Sequence, residues 1–375
     1  MTNEPAGPIT YASAGVDVEA GDRAVELMKE SVRRATRPEV LGGLGGFAGM
    51  FDASAIARMT RPVLATSTDG VGTKVAIAQA LDKHDTIGFD LVGMVVDDIV
   101  VCGAEPLFMT DYIATGKVVP ERIAAIVGGI AQACEEAGVA LVGGETAEHP
   151  GLLEPDEYDV AGAATGVVEH ADVLGPQRVR DGDVVVALAS SGLHSNGYSL
   201  VRRVIASAAW QLDRHVDEFG RTLGEELLEP TRIYTKPLLS LIQDTGVEVH
   251  ALSHVTGGGL AANLARVLPP GMMARVDRST WAPPAVFEMI QALGRVPRAD
   301  LERTLNQGVG FVAVLPQPHA DRAIELSQLS GIRAWRIGEV IAEAGATLDP
   351  AAELVRGAKG VDGGAVQVVG QHPKT

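Results

Sequence analysis

The sequence predicts an α/β protein, with mixed α+β sheets, that folds as two domains. The chain has 375 residues and is 46% hydrophobic, which is enough for two full cores. Apolar runs of strand length recur, and several lead into a glycine-rich polar turn and then a helical pattern. The 44 glycines cluster in such turns and show no collagen period. Units of this kind are typical of α/β folds, which bind ligands at the turns.

Charge and cysteine content limit the function classes. The formal net charge is −17, a field that repels nucleic acids and anionic membranes, so neither is an expected partner. Met1–Thr10 has no basic or apolar signal segment, and no apolar run reaches the roughly 18 residues of a membrane span. Cys102 and Cys134 form no C-x-x-C pair, which fits a reducing compartment. We therefore expect a cytoplasmic protein that acts on small molecules.

The first half of the chain alternates helical and strand patterns. Pro120 opens the clearest helix and Gly138 follows its end. Helices are predicted over Glu19–Ala35, Thr86–Val101 and Pro120–Ala137, and strands over Pro62–Ala65, Leu107–Ile113, Val139–Val142 and Asp159–Val168. A turn-rich segment then separates the halves. We place the domains at 1–170 and 171–345, followed by a tail, 346–375, that we expect to fray.

The second half repeats the strand, polar turn and helix arrangement. Val184–Ala189 reads as a buried strand and Leu200–Ala206 as the helix after the next turn. A strand ending at His254 meets three glycines and a helix that runs through Leu268. Another strand runs to Leu315. The glycines that open this strand are expected to lie close to the other ligand turns.

The stretch Thr66–Lys74 is predicted to be a polar turn between a strand and a helix. Asp69 offers a hard oxygen ligand for a divalent metal, and Gly70 and Gly72 allow the backbone to approach a ligand. Thr73 and Lys74 can meet phosphate oxygens at the helix start. The spacing is not that of a P-loop. The parts suit a magnesium–nucleotide complex, and an ordinary turn with a solvated Asp and Lys is the alternative.

Glycines dominate the stretch from Leu41 to Gly49, which carries Gly42, Gly43, Gly45, Gly46 and Phe47. Their spacing does not satisfy G-x-G-x-x-G, so a dinucleotide fingerprint is excluded. Two interpretations stay open: a flap that covers phosphates and a plain flexible connector.

Three carboxylates interrupt the apolar helix predicted over Thr86–Val101. Asp90, Met94 and Asp97 share one helix face, and Asp98 lies roughly 100° from Asp97. Acids in apolar surroundings need partners, so one or both of the adjacent pair can point at a metal shared with Asp69. A helix end with solvated acids is the alternative.

Three further turns carry polar side chains. Glu145 lies in an acidic turn after a short strand. Ser195 and Asn196 follow His194 in a turn before a helix, where backbone N–H groups can hold an anion. His254 precedes Thr256, Gly257 and Gly258 in a third turn. For both histidines, an ordinary loop or structural role is the alternative to ligand contact.

Taken in order, the motifs resemble the phosphoribosylformylglycinamidine cyclo-ligase, or AIR synthetase, family of purine biosynthesis. The resemblance covers roughly residues 10–340. The motifs are YASAGVD (Tyr11–Asp17), GGLGGF (Gly42–Phe47), TDGVGTK (Thr68–Lys74), GAEP (Gly103–Pro106), DYIATGK (Asp111–Lys117), GGETAE (Gly143–Glu148), YDVAG (Tyr158–Gly162), HSNGYSL (His194–Leu200), PTRIY (Pro230–Tyr234) and HVTGGG (His254–Gly259).

The resemblance implies a homodimer of two AIR-synthetase-type α/β domains per subunit, with the N-terminal sheets pairing across the dimer. It implies an ATP- and Mg²⁺-dependent ligase that cyclises formylglycinamidine ribonucleotide to 5-aminoimidazole ribonucleotide through a phosphorylated amide oxygen.

The resemblance also implies residue roles. Asp69 and Asp98 are the implied metal ligands, with Asp97 and Glu145 as weaker candidates. Lys74 is implied to meet phosphate, and either His194 or His254 to accept the proton released on ring closure. The implied nucleotide or substrate contacts are Gly42, Gly43, Gly45, Gly46, Phe47, Gly70, Gly72, Thr73, Lys29, Ser195, Asn196, Thr256, Gly257 and Gly258.

Some positions depart from the family pattern. Asp97 stands where Asn is common, which leaves open which adjacent acid binds metal, and Gln307 stands where Cys is common. Selenophosphate synthetase uses an early Cys or selenocysteine and the hydrogenase-maturation protein a C-terminal Cys, and this chain has neither. Thiamine-monophosphate kinase and a catalytically silent paralogue are the remaining alternatives. Clustered carboxylates in apolar surroundings argue against the silent paralogue.

Overall fold

The computed structural model describes residues 14–43, 45–358 and 360–373. Met1–Thr10, Tyr11 of the first motif, Leu44 of the glycine-rich stretch and the last two residues of the tail lie outside that part.

Capping residues mark the ends of helices in the first half. Asp17 caps the first helix by accepting a hydrogen bond from the Ala20 backbone N–H at 3.0 Å. Gly138 ends the fourth in a left-handed conformation, φ 78°. The helices are α1 (Val18–Arg34), α2 (Val75–Leu81), α3 (Ile87–Val100) and α4 (Pro120–Ala137). The predicted α1, α3 and α4 are thus confirmed to within a residue at each end.

A four-stranded sheet organises the first half. Its strands are β3 (Pro62–Gly70), β4 (Glu105–Thr115), β5 (Ala140–Glu148) and β6 (Tyr158–Glu169), and a separate hairpin joins β1 (Val40–Leu41) to β2 (Met50–Phe51). The sheet order is β3-β6-β4-β5, and β4 and β5 are parallel. Helix α3 packs on one face. The opposite face leaves Leu64 and Tyr112 exposed, by 64% and 42%.

Two sequence predictions about this sheet were wrong. Thr66–Asp69 continue β3 instead of forming a turn, and Gly143–Glu148 continue β5. The hydroxyl groups of Thr66 and Thr68 donate to carbonyls of β6, so polar side chains are accommodated within the strand. The turn proper begins only at Val71.

A seven-stranded sheet organises the second half. Its order is β10-β12-β7-β13-β11-β15-β14, and β11 and β15 are its parallel pair. The strands of this half are β7 (Asp183–Ala189), β8 (His215–Val216), β9 (Arg221–Thr222), β10 (Ala251–His254), β11 (Met272–Asp277), β12 (Val309–Pro316), β13 (Ala334–Ala342), β14 (Leu354–Arg356) and β15 (Ala365–Val369). The helices are α5 (Tyr198–Ala208), α6 (Leu223–Leu227), α7 (Thr235–Gln243), α8 (Gly259–Arg266), α9 (Ala285–Gly294), α10 (Arg298–Thr304) and α11 (Ala320–Leu329).

Apolar clusters lie on both faces of the second sheet. Leu238 of α7 belongs to one and Leu264 of α8 to the other. Burial on both sides explains the continuous apolar run of β7. A third cluster runs from the helices of the first sheet to Val201 of α5 and Phe287 of α9. This third cluster therefore spans both halves, while the second sheet keeps two clusters of its own.

The tail does not fray as expected. Strand β15 pairs in parallel with β11, with Asp277 opposite Val369, and β14 pairs with β15. Backbone pairing with a strand about ninety positions earlier orders residues whose own composition favours no structure. The first sheet ends at Glu169 and the second begins at Asp183, on either side of the predicted boundary. Within the described residues, no helix is long and apolar enough to cross a membrane.

Candidate active site

The turn after β3 contributes the first site residues. Asp69 is exposed, and its Oδ1 accepts a hydrogen bond from the Gly70 backbone N–H at 2.7 Å. Gly72 follows with φ 74°, a left-handed conformation that suits glycine, and begins a short 3₁₀ turn before α2. Thr73 is exposed at this turn, and its hydroxyl lies 3.1 Å from that of Ser199.

Lys74 does not face the site, which corrects the expected phosphate contact. Its ammonium group is fully buried, 2.7 Å from Asp90 Oδ1, and it donates to the carbonyl oxygens of His194 and Glu229 at 3.0 and 2.6 Å. Burial lowers the pKa of Lys74 and raises that of Asp90, while their attraction opposes both changes. Two of the three hydrogen bonds of Lys74 therefore join the halves, and the third fixes Asp90 within the first half.

Asp97 also serves the contact between the halves. Its carboxylate accepts hydrogen bonds from the Tyr234 backbone N–H at 3.0 Å and the Thr235 hydroxyl at 2.7 Å, at the start of α7. Burial raises its pKa to about 6. Asp90 bonds Thr231 in the same way, so the predicted common face of Asp90, Met94 and Asp97 is the face that meets the second half.

Asp98, in contrast, keeps 43% of its side chain exposed. Its Oδ1 lies 2.9 Å from Nδ1 of His254, whose ring stacks on Phe311 with centroids 5.1 Å apart. Nε2 of His254 is buried and has no partner among the described residues. Of the two adjacent acids, Asp98 is the one whose second oxygen remains accessible to a ligand.

His194 occupies a more enclosed position than His254. It adopts a left-handed backbone, φ 61°, is 1% exposed, and its Nε2 accepts a hydrogen bond from the Ser191 backbone N–H at 3.1 Å. Burial lowers the pKa of His194 well below its usual range, and the neighbouring His254 and Lys74 act in the same direction. The ring is therefore neutral at physiological pH.

Two clefts gather nine of the predicted site residues. The first, here called the Asp69 cleft, has a volume of about 250 Å³ and is lined by Asp69, Gly70, Gly72, Thr73, Met94, Ser195 and Asn196, among others. The second, the His254 cleft, has about 170 Å³ and includes Asp98, His254 and Thr256. Met94 and Asp98 lie one turn apart on α3, so this helix contributes to both clefts.

Contacts between turns fix the Asp69 cleft. The Ser195 hydroxyl donates to the Val71 carbonyl at 2.6 Å, and Nδ2 of Asn196 lies 3.1 Å from the sulfur of Met94. A side chain at Gly257 would lie 3.2 Å from Oδ1 of Asn196, so the third turn packs closely here. Elements from both halves thus meet at this cleft, as the motifs suggested.

Glu145 does not join Asp69 within one subunit. Asp69 follows Val63 and Ala65 in the row that faces the core, whereas Glu145 lies opposite Tyr112 in the row on the uncovered face, three strands away. Over residues 14–43, 45–358 and 360–373, no group of three His, Cys, Asp or Glu side chains is arranged to hold a metal. Glu145, one of the two weaker candidates, therefore cannot join Asp69 in one cluster within a single chain.

The remaining predicted contacts lie apart. The glycine-rich stretch links β1 to β2, and Phe47 is fully exposed there. Lys29 is exposed on α1 and pairs with Glu26. Gly258 is the N-terminal cap of α8 with φ 111°, a conformation that requires glycine whether or not a ligand binds.

Comparison with known proteins identifies the family of this chain, which the geometry of the clefts does not. A sequence model described as "AIR synthase related protein, N-terminal domain" matches residues 51–168, and the corresponding C-terminal domain matches residues 180–349. The chain belongs to the AIR synthase family. The resemblance found in the motifs and the prediction of two α/β domains of this type are confirmed.

Curated AIR synthase relatives match over almost their whole length. A phosphoribosylformylglycinamidine cyclo-ligase of Desulfitobacterium hafniense is 50% identical over 331 residues, which is 88% of this chain and 96% of the relative. One from Anaeromyxobacter dehalogenans is 48% identical over 349 residues, 93% and 99% of the two chains.

More distant solved structures share the AIR synthase fold. Thiamine-monophosphate kinase from Stenotrophomonas maltophilia superposes with a TM-score of 0.64 at 19% identity, over 92% of this chain and 97% of the other. The hydrogenase maturation protein HypE in complex with ATP gives a TM-score of 0.64 at 17% identity, over 96% and 97%. At such identity the likeness shows the fold alone.

Sequence reasoning gave no role to several residues that build this AIR synthase site. The two buried carboxylates of α3 accept hydrogen bonds from Thr231, Tyr234 and Thr235. The motif Pro230–Tyr234 was the signal that could have located these donors. Asp111 is buried in the first half, has no side-chain partner among the described residues, and has a pKa that burial raises to about 7. Its motif was recognised, but no pattern indicated that a carboxyl group points into the core.

Proposed function

We propose that this chain catalyses the ATP-dependent cyclisation of formylglycinamidine ribonucleotide to 5-aminoimidazole ribonucleotide, with release of ADP and phosphate, in de novo purine biosynthesis. It is then a C–N bond-forming ligase, as the names of its close relatives indicate. The observation that carries the proposal is the Asp69 cleft. There Asp69 and Thr73 of the motif Thr68–Lys74 meet Ser195 and Asn196 of the motif His194–Leu200, one motif from each half.

The chemistry requires two substitutions in sequence. ATP transfers its γ-phosphoryl group to the formyl amide oxygen, and ADP leaves. The amidine nitrogen then attacks the activated carbon, the bond from that carbon to the phosphorylated oxygen breaks, and a proton is lost as the imidazole forms. Most of the acceleration comes from positioning and charge neutralisation, because phosphoryl transfer needs little covalent participation by protein groups.

The residues present fit a magnesium ion. Mg²⁺ usually keeps several waters and takes one or two carboxylates together with substrate phosphates, so a three-acid cluster is not required. Asp69 and the free oxygen of Asp98 supply accessible carboxylates next to turns that can receive phosphates. When bound, the ion neutralises charge that develops on the transferred group.

Backbone and hydroxyl groups hold the phosphates in this proposal. Gly70, Gly72 and Thr73 face the cleft from one half, and Ser195 and Asn196 face it from the other. Thr256, Gly257 and Gly258 add the turn before α8. The stretch Gly42–Phe47 closes over the nucleotide, and Lys29 remains a more distant candidate contact.

His254 is the better placed of the two histidines to accept the proton of ring closure. It lines a cleft, its Nδ1 is held by Asp98, and its Nε2 has no partner in the described part of the chain. A ring fixed through one nitrogen presents the other in a defined direction. His194 instead packs within the contact between halves and orders the turn of Ser195 and Asn196.

The active enzyme is a homodimer in this proposal. One face of the first sheet is covered by helices, while the other leaves Leu64 and Tyr112 exposed. Pairing of two such faces would bury these side chains and would place Glu145 at the interface. Light scattering on the purified protein should give twice the chain mass.

Free thiols at Cys102 and Cys134 support a reducing, cytoplasmic location.

The deciding experiment follows two products at once. Purified protein is incubated with Mg-ATP and formylglycinamidine ribonucleotide, and ADP and the diazotisable aminoimidazole are measured together. Equal amounts support the proposal. ADP without aminoimidazole would keep the ATP site and assign another substrate, and neither product from a folded protein that binds ATP would indicate a silent paralogue.

A further inference from the structure

The second half contains a cavity whose lining residues, apart from Gly258, have no part in the proposed reaction. Its volume is about 310 Å³, and neither Asp69 nor His254 lines it. The start of α8, one side of α10 and the C-terminal tail form its walls. The tail strands lie beyond residue 349, where the match to the family's C-terminal domain ends. The cavity is therefore closed by a segment outside the matched family domain.

Most of the lining is apolar. Trp281 is 4% exposed, and the ring of His372 meets it edge-on with centroids 4.6 Å apart. Nδ1 of His372 donates to the carbonyls of Arg278 and Trp281, which fixes the end of the tail against the cavity. Leucine, valine and alanine side chains complete the walls. Such a lining suits an aromatic or heterocyclic body.

One buried polar group lacks a partner here. Gln307 lines the cavity, is 6% exposed, and its Nε2 makes no hydrogen bond to any residue within the described ranges. Its backbone is left-handed at φ 53°, and its carbonyl accepts a hydrogen bond from the indole of Trp281 at 3.0 Å. A buried donor without a partner lowers stability, and an acceptor atom on a ligand would satisfy it.

The charged lining residues leave one cation available. Arg278 forms two 2.7 Å hydrogen bonds with Glu302, and Arg303 pairs with Glu353. Arg298 is exposed, and across the described residues no bond to it is found. In a chain with a net charge of −17, a free guanidinium beside an apolar cavity favours an anionic group.

We propose that this cavity is a second ligand site, which binds a planar heteroaromatic anion of the size of a purine nucleoside monophosphate. The Gln307 amide donates to a ring acceptor, and Arg298 binds the anionic group. Gly258 belongs to the lining, and Thr256, two residues earlier, lines the His254 cleft. A ligand in the cavity thus contacts the turn that serves the reaction, although its binding does not depend on the proposed function.

Calorimetry of the full chain with AMP as the probe tests this proposal. A non-hydrolysable ATP analogue and Mg²⁺ are present at saturation, so that AMP cannot enter the ATP site. We expect one AMP per chain, with binding weakened about tenfold or more by Arg298→Gln and by Gln307→Met, which keeps the side-chain length. Arg203→Gln, at an exposed arginine of α5 outside the cavity, should bind as the wild type does.

Three results would overturn the proposal: no AMP binding to the wild type, AMP binding that disappears when the ATP analogue is present, or binding that Arg298→Gln leaves unchanged. The Arg298 variant alters an exposed side chain, so it tests the site even where Gln307→Met fails to fold. Since the readout is binding, the result stands whether or not the chain closes an imidazole ring.

Discussion

The centre of the contact between the two halves buries Lys74, Asp90 and Asp97, whereas the clefts beside it expose Asp69 and Asp98. At the centre, each of these three groups bonds a partner from the other half and is fully buried, so none of them is accessible to a ligand. In the clefts the carboxylates keep an accessible oxygen. The same residue types therefore hold the domains together in one region and remain available for metal and phosphate in the other.

The largest effect is expected at the centre, from Lys74→Met. The substitution leaves Asp90 buried without its cation, and breaking a buried pair in this way costs roughly 3–5 kcal/mol of the free energy of unfolding. Urea denaturation measures the loss. Thr73→Ala, one residue away but exposed, should change stability by no more than about 0.5 kcal/mol. A stable Lys74→Met protein with impaired ATP binding would restore the phosphate-contact role.

Asp111 extends the comparison because it is a buried acid for which the described part of the chain supplies no side-chain partner. Burial raises its folded-state pKa to about 7, so the folded state holds a proton that the unfolded chain has lost. The protonated carboxyl group of Asp111 contributes its full share of stability below the pKa that Asp111 has in the unfolded chain. That share is lost as the pH rises toward 7. Asp111→Asn should therefore become more stable than the wild type, by roughly 4 kcal/mol above pH 7.

The pH series supplies the control for that variant. Denaturation at pH 4 should show little difference between Asp111→Asn and the wild type, and the difference should grow up to about pH 7. A constant difference across the series would mean that the carboxyl is ionised in the folded protein.

Asp69→Asn tests the cleft itself. Removing one charged ligand should reduce ATP-dependent turnover roughly 100-fold, because each tenfold change corresponds to about 1.4 kcal/mol and metal ligation supplies several. The side chain is exposed, so the melting temperature and the subunit assembly should be unchanged. Full activity in this variant would remove Asp69 from the metal site.

The smallest effect is expected at Phe47, which lies in the most exposed part of the predicted flap. If the stretch closes over the nucleotide, Phe47→Ala should raise the KM for ATP by roughly fivefold, because the closed state loses apolar contact. Stability should not change. An unaltered KM would favour the plain connector.

The sequence was most informative where local signals agree. Pro120 and Gly138 bound α4 as predicted, and the order of the motifs identified the family. The sequence was misleading where partners far away in the chain determine the position of a residue. The carbonyls that enclose Lys74 lie 120 and 155 positions away, and β15 is ordered by a strand far earlier in the chain. Glu145 was misassigned because alternation within β5 turns it to the opposite face from Asp69.

Adjacent residues of α3 permit the most direct test of the central claim. Asp97→Asn and Asp98→Asn are compared for the free energy of unfolding and for turnover in the two-product assay. Asp97→Asn should lose stability, since Asp97 accepts from Tyr234 and Thr235 through two separate oxygens and Asn has an NH₂ group in place of one of them. Asp98→Asn should keep stability and lose most turnover. The reverse pattern, or equal losses in both variants, would contradict the division between a structural centre and reactive clefts.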